Sequence, residues 1–158
     1  MRTKNSQKGF SLIELLIVVA IILIIAAIAI PNLLRSRMAA NEASAVGSLR
    51  TLNTASVQYS TTYGPGFPVA IGNLGPANPA TSAAADLIDS VLASGTKSGY
   101  TFAWGLPAGA TAGDAYSITA IPTTVGTTGQ RSFFTDHSGV IRADTTGATP
   151  DVNDQPIS

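Results

Sequence analysis

Hydrophobicity along this chain falls into two regimes with different periods. Leu15 to Ile30 are apolar without exception, and no charge appears from Leu15 to Leu34. About 20 such residues in a helix rise roughly 30 Å, the thickness of bilayer hydrocarbon, so the run predicts one transmembrane helix. Past Pro31 the pattern turns amphipathic, with Ala45, Val46, Leu49, Leu52, Ser56, Tyr59 and Tyr63 recurring at steps of three and four. That spacing extends the helix to about Thr62. Arg35, Arg37, Glu42, Arg50 and Gln58 are assigned to its wet side, while the Leu/Tyr stripe needs a surface, supplied by the chain's own headpiece. From Phe10 to Thr62 such a helix is roughly 80 Å long at about 1.5 Å per residue, more than a membrane or a small domain needs.

Gly64-Pro65-Gly66-Phe67-Pro68 stops this helix, and Gly72, Gly75, Pro76 and Pro79 keep the next stretch irregular. Ser82 to Ala93 predicts one short helix with Leu87, Ile88, Val91 and Leu92 as its apolar face and Gly95 as its stop. Beyond Gly99 the period shortens. Tyr100 to Leu106, Ala115 to Pro122, Gln130 to Thr135 and Val140 to Ala143 predict three or four antiparallel strands separated by glycine-containing turns. Asp144 to Ser158 is polar and aperiodic and reads as coil. The predicted fold class is α+β: a long N-terminal helix packed through its second half on a small antiparallel sheet. Three segments follow: a basic stub at 1–9, a transmembrane helix at 10–34, and a headpiece at 35–158.

Composition narrows the function. At 158 residues there is room for one modest core beside a membrane segment. Net charge is zero and 11% of residues are charged, so no broad basic surface or specific nucleic-acid site is expected. The absence of cysteine excludes disulfides, thiolate metal sites and cysteine nucleophiles. Arg2, Lys4 and Lys8 precede the apolar run with no acid among residues 1–9, which holds that end in the cytoplasm and sends the C-terminal part outward.

The most informative residues are Lys8-Gly9-Phe10-Ser11-Leu12-Ile13-Glu14-Leu15. A charge in a bilayer costs about 2.5 to 3.5 kcal/mol at a helix centre, so Glu14 requires a purpose and a partner. A cut after Gly9 would free the Phe10 α-amine in the same layer as Glu14, one helical turn away or on an adjacent copy.

These residues resemble the type IV pilin and pseudopilin family: basic leader, Gly9, Phe10, four further positions to Glu14, and the long apolar helix. The resemblance implies that a prepilin peptidase cuts between Gly9 and Phe10 and N-methylates Phe10. It further implies that Glu14 pairs with the Phe10 amine of a neighbour in the filament, as an assembly residue and not a catalyst. Pro31 falls where pilins place a helix-weakening proline; it removes one backbone donor and crowds the carbonyl of Ala27, predicting a bend or locally melted segment. The implied function is a structural subunit of a type IV pilus serving adhesion, twitching motility or DNA uptake, with a type II secretion pseudopilin as the alternative. Implied partners are other copies in a helical filament, the peptidase, the membrane and an inner-membrane assembly platform. The precursor is expected in the bacterial inner membrane, and the product in an extracellular pilus or periplasmic pseudopilus.

Simpler readings were set beside these. A secretory signal cleaved at Ala27-Ile28-Ala29 has an apolar region of about 7 to 15 residues, shorter than this run. A plain single-pass anchor accounts for the hydrophobicity but not for Glu14 or the long extension. Asp136-His137-Ser138 holds the residue types of a hydrolase triad, yet chain neighbours cannot converge as a triad and the segment reads as a turn. His137 is the only histidine, and neither a cofactor nor an enzyme activity is predicted. Asp144, Asp151 and Asp154, with Asn153, are weak candidates for calcium. Tyr100, Phe102, Trp104, Phe133 and Phe134 are assigned to the core.

Overall fold

The computed structural model describes residues 9–64 and 66–157. The leader cations Arg2, Lys4 and Lys8, and Pro65 of the helix stop, lie outside the described residues. Two compact units divide the chain, Met1–Ser36 and Arg37–Ser158. Helix α1, Leu12–Tyr63, contributes residues to both.

In the first unit α1 carries the apolar run, and none of its most hydrophobic window is buried. Phe10 is 88% exposed and Ile28 71%. Of the bend or locally melted segment expected at Pro31, the melted one does not occur: the helix continues through it without interruption. Proline removes a single N–H, and the helical bonds on either side are enough to carry the backbone across it.

In the second unit α1 packs on a six-stranded antiparallel meander in the order β1-β2-β3-β4-β5-β6. The strands are β1 Thr96–Lys97, β2 Tyr100–Gly105, β3 Ser117–Pro122, β4 Ser132–Asp136, β5 Ile141–Asp144 and β6 Gln155–Pro156. Four match the predicted runs to within two residues at each end; β1 and β6 are new. β6 corrects the reading of the tail as coil: Arg142 pairs Pro156 and Ala143 pairs Gln155. Two residues are too few to show a period, so only the ladder reveals them.

Ala45, Leu49, Leu52 and Ser56 are buried as the stripe predicted. They meet Tyr100, Phe102, Ile118, Ala120, Phe133, Ile141 and Ala143 from one face of the sheet. Phe134 points to the opposite face and is half-buried, because adjacent strand residues alternate sides; the core assignment fails for it. Trp104 is half-buried and stacks on buried Tyr116 at 5.0 Å, with Phe67 edge-on to Tyr116 at 4.9 Å. The Tyr116 hydroxyl donates to Asn53 Oδ1 at 3.1 Å, and Asn53 Nδ2 donates to Thr135 Oγ1 at 2.8 Å. This polar relay ties α1 to β4 and to the residue just before β3.

The helix predicted over Ser82–Ala93 is only α2, Ser90–Ala93, capped by Asp89 Oδ1 accepting from Leu92 N–H at 2.9 Å. The preceding amides are committed elsewhere. Ala85 donates to Asn73 O, Asp86 to Gly75 O, and Leu87 and Ile88 to Leu74 O. Those carbonyls flank a 3₁₀ turn at Ile71–Leu74, and Asp86 is left-handed at φ 54°. Apolar spacing gave no sign of this competition. Tyr59 packs against the core and also holds the connector, its hydroxyl donating to Ser82 O at 2.7 Å.

Gly129 illustrates how tightly the sheet end is packed. A methyl group there would land on the Tyr100 hydroxyl, which donates to Arg131 O at 2.7 Å. Gly129→Ala is expected to destabilise the headpiece by about 1–3 kcal/mol, seen as a lower thermal midpoint by circular dichroism. An unchanged midpoint would mean that Tyr100 has room to move.

Candidate processing and assembly site

Gly9 and Phe10 are exposed and precede the helix. Nothing lies within 4 Å of the position a Gly9 Cβ would take. A peptidase needs an accessible peptide that is not locked in helical hydrogen bonds, and the Gly9–Phe10 bond meets both conditions.

Glu14 lies in the first turn of α1. Its Oε2 accepts the Ser11 N–H at 2.8 Å. Ser11-Leu12-Ile13-Glu14 is therefore half of a capping box, in which the N3 carboxylate satisfies the N–H of the residue before the helix. The Ser/Thr-x-x-Glu spacing ahead of an apolar run is a local sequence signal for this contact. The carboxylate also sits at the positive end of the helix dipole. It thus has a local partner in the uncut chain, Ser11, which is the residue next to the Phe10 amine that a cut after Gly9 would release.

Glu42 departs most from expectation. Assigned to the wet side of α1, it is 8% exposed. Its Oε1 accepts from Gln130 N–H at 2.9 Å and Arg131 N–H at 3.1 Å, and its Oε2 accepts from Arg131 Nε at 2.8 Å. Burial alone would raise its pKa, but the Gln130 N–H, the Arg131 side chain and the Arg131 N–H outweigh burial and hold it below the ordinary range. Nearby, Asn41 Nδ2 donates to Thr128 O at 2.8 Å. Glu42 is therefore a clamp between α1 and the segment leading into β4. Its partners lie 88 and 89 residues away in the chain, and no local pattern encodes them.

The remaining candidates do not converge. Asp144 Oδ1 accepts from Thr146 N–H at 2.8 Å and Ala148 N–H at 3.1 Å, and its pKa is lowered, first by the Thr146 hydroxyl. Asp151 Oδ1 accepts from Asn153 N–H and Asp154 Oδ2 from Asp151 N–H, both at 2.7 Å. Each carboxylate organises its own turn, and among the described residues no three His, Cys, Asp or Glu side chains gather as metal ligands. Asp136 Oδ1 accepts the Ser138 N–H at 2.9 Å, the turn predicted for Asp136-His137-Ser138. The hollow between Pro68, Trp104, Leu106 and Ala112 is lined by no charged side chain.

The comparisons with known proteins each match a short part of the chain. Residues 4–30 match the prokaryotic N-terminal methylation motif. The type IV wide pilus major component PilA4 of Thermus thermophilus is 69% identical over 38 residues, 24% of this chain and 29% of its own length. The type IV major pilin protein PilA of Myxococcus xanthus is 48% identical over 54 residues, 34% of this chain and 24% of its own length. The matched stretch thus spans under a third of either relative. No solved structure matches the chain.

The Glu42 clamp makes headpiece stability depend on pH. A carboxylate whose pKa is lower folded than unfolded stabilises the fold fully above the unfolded value, about 4.3, and progressively less as pH falls through the folded one. Denaturant unfolding is expected to show stability falling on acidification below about pH 5. Glu42→Gln is expected to be less stable at neutral pH and to flatten that slope. An identical slope in the variant would place the dependence elsewhere.

Proposed function

We propose that this chain, whose N-terminal segment is that of the type IV pilin family, is a structural subunit of a type IV pilus. It is made as a membrane-inserted precursor, cut between Gly9 and Phe10, methylated on Phe10 and assembled through α1. The observation that carries this reading is the junction itself: an exposed, non-helical Gly9–Phe10 bond followed by a wholly uncovered apolar helix whose one early charge is Glu14. The methylation motif and the names of the two relatives support it, and those names favour a pilus over a secretion pseudopilus. Residues 10–34 form the membrane and assembly segment, and 35–158 the extracytoplasmic headpiece. A prepilin peptidase and an inner-membrane assembly platform are the partners this pathway requires. Once cut, Phe10 offers a cation near Glu14, and pairing across copies fixes register where apolar contact alone would let helices slide.

A second feature within the headpiece supports assembly along α1. On the helix face opposite Leu49 and Leu52, Ala40, Ala43, Gly47, Thr51 and Thr54 are all exposed and small. Nothing in the chain comes within 4 Å of a Cβ built on Gly47. Glycine inside a helix costs about 0.5–1 kcal/mol relative to alanine, and no contact within the subunit explains it. Close approach of a neighbouring helix does.

The deciding experiment is intact mass and N-terminal fragmentation of protein from sheared surface fractions. The expected product begins at methylated Phe10; a chain beginning at Met1 or Ile30 would overturn the pathway. Glu14→Ala is expected to insert normally in the membrane yet give no filaments, and normal filament yield would remove the assembly role assigned to Glu14. Gly47→Ala is expected to raise headpiece stability by about 0.5–1 kcal/mol. Gly47→Leu should leave the headpiece folded and reduce filament yield several-fold, whereas full yield would show that this face stays uncovered.

A further inference from the structure

The end of the apolar run carries a feature that neither cleavage nor assembly uses. After the twenty uncharged residues Leu15–Leu34, the first two charges are Arg35 and Arg37, and no acid occurs between Glu14 and Glu42. Both arginines are exposed. Among the described residues the ion pairs are Lys97–Asp89 and Arg131–Glu42, and neither arginine takes part. Glu42, the next acid along the helix, is already satisfied by Gln130 and Arg131. Successive helix positions turn by about 100°, so residues two apart face nearly opposite sides of the helix.

We infer that Arg35 and Arg37 bind the phosphates of anionic phospholipid headgroups where α1 leaves the hydrocarbon, pinning the depth of the precursor. The inference rests on the membrane-inserted precursor proposed above. Twenty residues span the hydrocarbon at about 1.5 Å each, which puts positions 35 and 37 at headgroup level. Guanidinium is suited to the site because its planar fork bonds phosphate oxygens in pairs, and its long stem lies along acyl chains while the head stays in the polar layer. A basic residue near an anionic membrane surface gains enough free energy to enrich anionic lipid about fivefold around it.

The test uses the full chain reconstituted in vesicles of phosphatidylcholine and phosphatidylglycerol at three to one. The chain lacks cysteine, so Ala39→Cys gives a unique dye position just past the arginines. Energy transfer is read to trace headgroup-labelled phosphatidylglycerol and, separately, to labelled phosphatidylcholine. The expected result is a local ratio of phosphatidylglycerol to phosphatidylcholine about fivefold above that of the bulk vesicle. R35Q/R37Q should abolish the enrichment, high salt should weaken it, and R50Q, about 20 Å further along the helix, should leave it unchanged. Equal transfer to both lipids, persistence in R35Q/R37Q, or equal loss in R50Q would each overturn the inference. Flotation separates its failure from that of the parent reading: protein that does not float with the vesicles refutes membrane insertion, and protein that floats without lipid preference refutes only the arginine site.

Discussion

Twenty consecutive uncharged residues on an uncovered helix have no stable place in water. At about 25 cal/mol per Å² of apolar surface, side chains such as Ile28 and Leu23 require another phase or other copies of themselves. Everything distinctive about the chain answers that constraint. On the pathway proposed above, the run would enter lipid first and later leave it for a protein environment nearly as apolar. Moving between two such media yields little net hydrophobic free energy. Specificity would then fall to the few polar groups along the way: the Glu14 carboxylate, the Phe10 amine that a cut would release, and small residues that let helices approach.

Glu14 shows how one residue can serve in sequence. In the intact chain its carboxylate accepts the Ser11 N–H and lies at the positive end of the helix dipole, which lowers the cost of holding an acid at the edge of an apolar segment. An amine freed on Phe10, next to Ser11, would be a stronger, charged donor to the same oxygens. The capping contact is thus compatible with the proposed precursor, and a cut after Gly9 would offer a replacement for it.

The headpiece solves a different problem: it must hold the second half of α1 without disulfides. Three kinds of contact combine there. The Leu49 and Leu52 stripe supplies apolar burial, the Tyr116–Asn53–Thr135 relay satisfies polar groups inside the interface, and Glu42 receives three donors from the segment entering β4. Removing one partner of such a carboxylate leaves buried donors unpaired, so the clamp specifies register as well as adding stability.

The amino-acid sequence by itself determined the features that depend on local spacing. These were the helical run long and apolar enough to cross a membrane, the amphipathic continuation to Tyr63, four of the six strands and the turn at Asp136-His137-Ser138. Periodicity and chemistry at short range are sufficient for each. Tertiary structure decided what depends on partners far along the chain. Glu42 was read as solvated and is buried because Gln130 and Arg131 meet it; Ser82–Asp89 had helical spacing but its amides bond the Asn73–Gly75 carbonyls; Gln155–Pro156 becomes a strand only because β5 offers an edge. Phe133 and Phe134 part company by strand alternation once the register is fixed. In each case a backbone or side-chain group had two possible hydrogen-bonding or burial partners, and the choice rested on contacts that only the assembled fold supplies.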